Sequence, residues 1–125
     1  MSTLNTMIAA ASSPITVTGD QFTQEFVFAE DFVGFHGHFP DNPVLPAVVQ
    51  LMAGAYSARQ AAAMELSVTG TSRAKFLRQV KPGERIVLTG TLTPTDCGFT
   101  AVITLSVDDE CASTFHIKLL HREAS

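Results

Sequence analysis

Residues 35–51 read FHGHFPDNPVLPAVVQL and combine two histidines, three prolines and the start of a long apolar segment. Each proline fixes its own φ and disfavours helix at the residue before it, so residues 34–46 are predicted to form an extended, turning loop. Pro46 suits the first position of a helix, because the N–H that a proline lacks has no helical partner there. The stretch therefore predicts a loop that presents His38 and leads directly into a helix.

The segment that follows this loop is rich in alanine and contains no proline, which predicts a helix over residues 47–64. Apolar residues lie on nearly every face of that helix. A helix of this kind needs to be enclosed by other parts of the protein. We therefore expect the helix to be central.

The remaining pattern predicts strands. Residues 21–28 place Phe22, Phe26 and Phe28 on one face of an extended chain. Four further segments alternate in polarity or are rich in residues that favour strands, and turn signals such as Pro82-Gly83 separate them. These segments are residues 72–80, 85–93, 98–108 and 111–122. Short turns between consecutive strands imply antiparallel pairing. One strand, one enclosed helix and an antiparallel meander predict an α+β fold in which a sheet wraps a long central helix.

Length and charge exclude several classes of protein. The chain has 125 residues, which fits one domain over residues 15–125, preceded by a loosely held arm over residues 1–14. The net charge of −4 predicts no general affinity for nucleic acid or anionic membranes. We see neither a secretory signal nor a run of about 18 apolar residues, so we expect a cytoplasmic protein with Cys97 and Cys111 reduced.

Two motifs resemble those of a known family. His38-Phe39-Pro40 followed by Pro43 and Pro46 resembles the signature of the 3-hydroxyacyl-acyl carrier protein dehydratases. Residues 72–84, SRAKFLRQVKPGE, are similar to the family's strand after the helix. The resemblance implies the hot-dog fold, a substrate carried by acyl carrier protein or coenzyme A, and no cofactor. It also implies a homodimer or larger oligomer, with the acyl chain in a tunnel between subunits.

The chemistry of this family assigns roles to residues near the loop. Dehydration needs a base with a pKa near neutrality, and His38 is the candidate. It also needs a donor to the developing enolate oxygen, and the backbone N–H of Ala47 at a helix N-terminus is suited to that role. The family has glycine at that position. The side chains expected to contact substrate are Phe39, Pro40, Pro46 and Met52.

Met52 departs from the family, which carries Glu or Asp at this position of the helix. A thioether cannot donate a proton, so we interpret Met52 as an apolar filler and look for the acid elsewhere. Tyr56 lies one helical turn further on the same face. Asp41 in the loop is the second candidate. In the family, the histidine of one subunit and the carboxylate of the other complete each site.

Several alternatives stay open. A basic cluster is either a solvated strand edge or a docking patch for an acidic carrier, and it comprises Arg73, Lys75, Arg78 and Lys81. His36 would point away from His38 in an extended chain, and we predict no metal site. The leading function is a dehydratase of 3-hydroxyacyl thioesters. The others are a catalytically impaired acyl-binding subunit that pairs with an active paralogue, and a thioesterase of the same fold.

Overall fold

Two helices and six strands make up the part of the chain, residues 3–32 and 43–122, that this computed structural model describes. In chain order the elements are α1 (Thr3–Ala11), β1 (Thr16–Thr18), β2 (Gln21–Val27), α2 (Ala47–Ala62), β3 (Leu66–Phe76), β4 (Arg85–Thr95), β5 (Gly98–Val107) and β6 (Glu110–His121).

All six strands belong to one antiparallel sheet with the order β1-β2-β4-β5-β6-β3. The alternation that predicted the strands also decides which side chains are buried. Ile86 and Leu88 of β4 and Ile103 of β5 point into the core together. The turn between β5 and β6 places Asp108 and Asp109 at φ 50 and 64, a left-handed conformation that short polar residues tolerate. The predicted α+β architecture is confirmed.

Helix α2 packs on the inner face of this sheet. Gly54 lies so close to β6 that a Cβ there would meet the Phe115 ring at 2.6 Å, so the missing side chain allows the close approach. The helix ends at Ala62, with Ala63 in a left-handed conformation as C-cap, two residues before the predicted end. Only one side of the helix is covered in the described chain, since Val48 is 58% exposed. Among residues 3–32 and 43–122, therefore, nothing covers Val48 on the opposite face.

Two predicted boundaries are wrong for reasons of tertiary packing. Strand β3 spans Leu66–Phe76 rather than residues 72–80. After Phe76 the chain leaves the edge of the sheet, and the N–H groups of Leu77 and Arg78 both donate to the Ala112 carbonyl. Val80 is then buried and its carbonyl accepts a hydrogen bond from Leu45. The segment after β3 thus holds the start of α2 instead of extending the strand.

The N-terminal segment also differs from the expected loose arm. Residues Thr3–Ala11 form helix α1, whose Ile8 is fully buried in the core. Ser12 forms an isolated bridge with Phe26, and β1 then pairs with β2. A short run with three larger apolar residues, Leu4, Met7 and Ile8, is a weak sequence signal, but here it packs on the core. Within residues 3–32 and 43–122, no helix combines the length and the apolar character needed to cross a membrane.

Candidate functional site

The start of α2 is an open helix N-terminus. Pro46 is the N-cap residue, with φ −61 and ψ 150, rather than the first helical residue that the sequence predicted. A proline offers no capping side chain, and the first turn contains no acidic residue. Within the described chain the Ala47 N–H has no hydrogen-bond partner. This N–H and the positive end of the helix dipole are available to an oxygen that carries negative charge.

A cavity of about 350 Å³ lies beside this helix start. It is lined by Val44, Leu45, Ala47 and Gln50 on one side and by residues 76–79 on the other. The lining is mainly apolar, apart from Gln50, Arg78 and Gln79. The cavity therefore has room for a small organic group and adjoins Ala47 at the first position of the helix.

A second cavity, of about 250 Å³, lies between α2 and strand β3 and is lined in part by Met52. Met52 is half-buried there beside Leu51 and Ala55, and β3 contributes Val68 to the opposite wall. Most of the lining is apolar, and Asn5, Arg59 and Thr71 add polar groups. The Met52 thioether supplies no proton donor to this cavity.

Tyr56 lies away from both cavities. Its ring contacts Phe26 edge-on at 6.3 Å, and its hydroxyl lies 3.5 Å from Ser12 Oγ at the end of α1. Nine residues separate it from Ala47, which is about 13 Å along the helix axis at about 1.5 Å per residue. The structure therefore does not bring the phenol to the helix start.

The loop residues assigned to chemistry lie outside the described residues. They are His38, Phe39, Pro40 and Asp41, together with His36. The structure does fix the chain on both sides of this segment. Before it, Phe32 packs on Phe28 with ring centroids 4.6 Å apart. After it, Leu45 is buried and donates to Val80 at 2.7 Å. Residues 43–46 then connect to the start of α2.

Arg78 behaves differently from the other basic residues. Its guanidinium contacts Glu84 at 2.8 Å and Glu110 at 3.0 Å. Its Nη1 is buried, and no partner for it exists among residues 3–32 and 43–122. The hydrogen bond to Glu84 raises the pKa of Arg78. Arg78 therefore forms ion pairs within the chain beside the cavity. Arg73, Lys75 and Lys81, in contrast, are exposed and accessible to a partner.

Gln50 and Ser113 belong to this region and were not singled out from the sequence. Both side chains are buried, and Ser113 Oγ donates to Gln50 Oε1 at 2.7 Å. The one available sequence signal was a polar residue on a helix that is otherwise apolar on nearly every face. This signal could not identify the hydrogen-bond partner, because Ser113 lies 63 residues later in the chain.

The architecture is that of a hot-dog protein, with one cavity beside the start of α2 and another between α2 and β3. The ApeI-like family model, described as ApeI dehydratase, matches residues 14–114. The chain therefore belongs to the ApeI-like dehydratase family. This confirms the resemblance to dehydratases that the proline loop indicated.

Similar proteins with known sequences carry dehydratase names. The 3-hydroxyacyl-[acyl-carrier-protein] dehydratase FabZ of Ralstonia nicotianae is 36% identical over 108 residues, which cover 77% of this chain and 64% of the relative. FabZ of Acetivibrio thermocellus is 37% identical over 92 residues, which cover 67% and 63%. The chain thus spans less than two thirds of the length of these relatives.

Solved structures show the same fold. The dehydratase heterocomplex ApeI:P from Xenorhabdus doucetiae matches with a TM-score of 0.78 at 22% identity, covering 88% of this chain and 96% of that one. The PaaI protein of Escherichia coli matches with a TM-score of 0.71 at 14% identity, covering 95% and 89%. At such identities the likeness establishes the hot-dog fold.

The ion pair beside the cavity predicts a pH-dependent stability. Burial acts to raise the pKa of Glu84, but hydrogen bonds from the Lys81 N–H and Arg78 outweigh it and bring that pKa below its ordinary value of 4.5. Because the folded-state pKa is the lower one, the stabilisation is complete above pH 4.5 and is lost as pH falls through the folded-state value. Glu84→Gln should therefore cost about 1 kcal/mol at pH 7 and less at acidic pH, as measured by urea unfolding.

Glu110→Gln is the matched control, because Glu110 contacts the same guanidinium but its side chain is 67% exposed. It should change the free energy of unfolding by a few tenths of a kcal/mol. Equal losses at pH 7 and at acidic pH for Glu84→Gln would show that the carboxylate charge does not carry the effect.

Proposed function

We propose that this protein is a dehydratase-type enzyme that removes water from 3-hydroxyacyl thioesters held by acyl carrier protein. The supporting observation is the uncapped start of α2, where Ala47 lines a cavity directly after the segment that contains His38. The FabZ relatives are named for this substrate class. An open N–H beside a cavity suits a thioester oxygen better than an alkyl group.

In the proposed reaction, the His38 imidazole removes a proton from carbon 2 of the acyl group. The Ala47 N–H donates to the thioester oxygen while negative charge develops there. The bond between carbon 3 and its hydroxyl oxygen breaks, the double bond between carbons 2 and 3 forms, and the hydroxyl leaves as water after gaining a proton. One proton is lost from carbon 2 and one is added to the hydroxyl, so no cofactor is required.

The source of the second proton is the unusual part of this proposal. Met52 cannot supply it, and the Tyr56 hydroxyl lies toward α1 and Ser12. Within this chain, Asp41 is the remaining candidate donor, and it belongs to the same segment as His38. The alternative donor is a carboxyl group of a second subunit. The first alternative gives an enzyme active by itself, and the second gives one that depends on its partner.

We also propose that the chain assembles through β3. This strand lies at the edge of the sheet, and its backbone groups on the outer side are unpaired within the described chain. Exposed apolar side chains continue from it, including Phe76, Leu77 and, on the adjacent helix, Val48. Pairing of two such edges would extend the sheet and cover the open face of α2.

Light scattering at micromolar concentration should accordingly give at least a dimer. Val68→Lys should shift the protein toward monomer, because Val68 is 39% exposed on the edge strand. Val102→Lys is the matched control, since Val102 is 40% exposed but lies on β5 in the interior of the sheet. A parent that remains monomeric, or equal effects of the two substitutions, would contradict assembly through β3.

A second candidate function is favoured by Met52 together with this free edge. The chain would pair with a paralogue that carries a carboxylate at the equivalent helix position. His38 of this chain and the paralogue's carboxylate would then form one complete site. The similar ApeI:P structure is described as a heterocomplex, which supports considering such a pair.

The direct test of the leading function is hydration of a crotonyl thioester by the purified chain, which is measured as the loss of the enoyl absorbance. His38→Ala should lower this rate by about 100-fold or more and leave the melting temperature nearly unchanged, since a general base contributes about 10²- to 10⁴-fold. His36→Ala, two residues earlier, should retain most of the activity. Equal rates in parent and His38→Ala would remove His38 from the reaction, and a silent parent would favour the paired subunit.

The role of Met52 is tested by adding the missing acid. Met52→Glu should raise the rate about 10-fold or more, because the apolar cavity raises the pKa of a carboxyl and so keeps it able to donate near neutral pH. Leu51→Glu, which adds a carboxyl to the same cavity one residue away, should give no increase. If Tyr56→Phe abolishes activity and Met52→Glu adds nothing, the acid is Tyr56 and the proposal for Met52 is wrong.

A further inference from the structure

We propose that Gln50 and Ser113 are positioning residues that fix the thioester-binding N–H of Ala47. This inference rests on the proposed function in taking Ala47 as the donor to substrate. Gln50 is 4% exposed and Ser113 is fully buried. Ser113 Oγ donates to Gln50 Oε1 at 2.7 Å, and Gln50 Nε2 donates to the Leu45 carbonyl at 3.2 Å. The pair therefore links β6 to the residue that precedes Pro46.

Gln50 holds both peptide groups that flank Pro46. Its side chain binds the carbonyl of Leu45, and its backbone N–H donates to the carbonyl of Pro46 at 3.2 Å. A peptide group is planar, so fixing the Pro46 carbonyl also fixes the direction of the Ala47 N–H in the same plane. The proline ring fixes the φ angle between the two planes. The backbone N–H of Val49 also donates to the Pro46 carbonyl, at 3.1 Å, so the Gln50 side chain adds a restraint on the Leu45 peptide group to the one that the helix backbone places on Pro46.

Both groups that hold the Gln50 side chain are themselves held by other parts of the fold. Leu45 is buried, and its N–H donates to Val80 at 2.7 Å. Ser113 lies in β6 and pairs with Leu105 of the neighbouring strand. Gln50 is therefore held between the sheet and the segment after β3. Since displacement of a reacting group by about 1 Å can cost about 100-fold in rate, such a link is suited to keep the donor in place.

A second buried glutamine–serine pair joins α2 to the sheet further along the helix. Ser57 Oγ donates to Gln24 Oε1 at 2.7 Å, and Gln24 Nε2 donates to the Ser13 carbonyl at 2.7 Å. Both side chains are buried. Ser57 lies ten residues after Ala47, about 15 Å along the helix at about 1.5 Å per residue. This pair stabilises α2 on β2 without contacting the helix start, so it is a control for loss of stability alone.

The first readout is the backbone amide resonance of Ala47 in the free, full-length protein. Gln50→Met and Ser113→Ala should each shift this resonance, because each leaves the Leu45 carbonyl less firmly held. Gln24→Met and Ser57→Ala should leave it unchanged while lowering the melting temperature by a similar amount. An unchanged Ala47 amide in all four variants would overturn the proposal, and this result does not depend on enzymatic activity.

The second readout is kinetic and applies when the parent hydrates a crotonyl thioester. Gln50→Met and Ser113→Ala should lower kcat about 10- to 100-fold with a smaller change in KM, because the donor binds its oxygen most strongly in the transition state. The Gln24 and Ser57 variants should keep kcat within about two-fold. Loss of kcat in Gln50→Met alone would indicate direct contact of Gln50 with substrate and would contradict a positioning role. A silent parent would refute the proposed function, while the amide measurement still decides this inference.

Discussion

The close contact between α2 and β6 is the constraint on which the rest of the structure depends. Gly54 has no side chain, and a Cβ at its position would lie 2.6 Å from the Phe115 ring. This approach lets the helix lie directly on the sheet, with Ala53 and Ala58 buried beside it. The short distance then brings polar groups of the helix within hydrogen-bond reach of the strands. The depth at which α2 sits therefore decides both the packing of the core and the position of the helix start.

Buried polar side chains give this contact its specificity. Apolar packing alone would tolerate small rotations of the helix, whereas an amide that loses its partner in the core costs about 1 to 3 kcal/mol. Gln50 and Ser57 face different strands and so restrict the helix at two places along its length. One of these places adjoins the cavity at Ala47. Stability of the core and the geometry of the candidate site thus depend on the same kind of hydrogen bond.

The proposed reaction separates binding from proton donation. Under this proposal, the Ala47 N–H and the two cavities bind a thioester and its acyl chain, and neither role requires a carboxylate at Met52. The proton donor is a separate requirement. The free edge of β3 offers a route by which a second subunit could meet it, because pairing there would bring another chain near the open face of α2. Binding and proton donation are therefore separable features of this architecture.

The sequence by itself determined the α+β fold, because alternation in β4, β5 and β6 fixes which face is buried, and the prolines before Ala47 fix where the helix begins. The same prolines indicated the family. Tertiary structure alone decided that Ile8 closes the core, that the chain leaves β3 at Phe76, and that Arg78 pairs with two carboxylates instead of standing free. It also decided that Gln50 meets Ser113. These outcomes depend on residues far apart in the chain, whereas periodicity and proline spacing report only on local conformation and on which face is apolar.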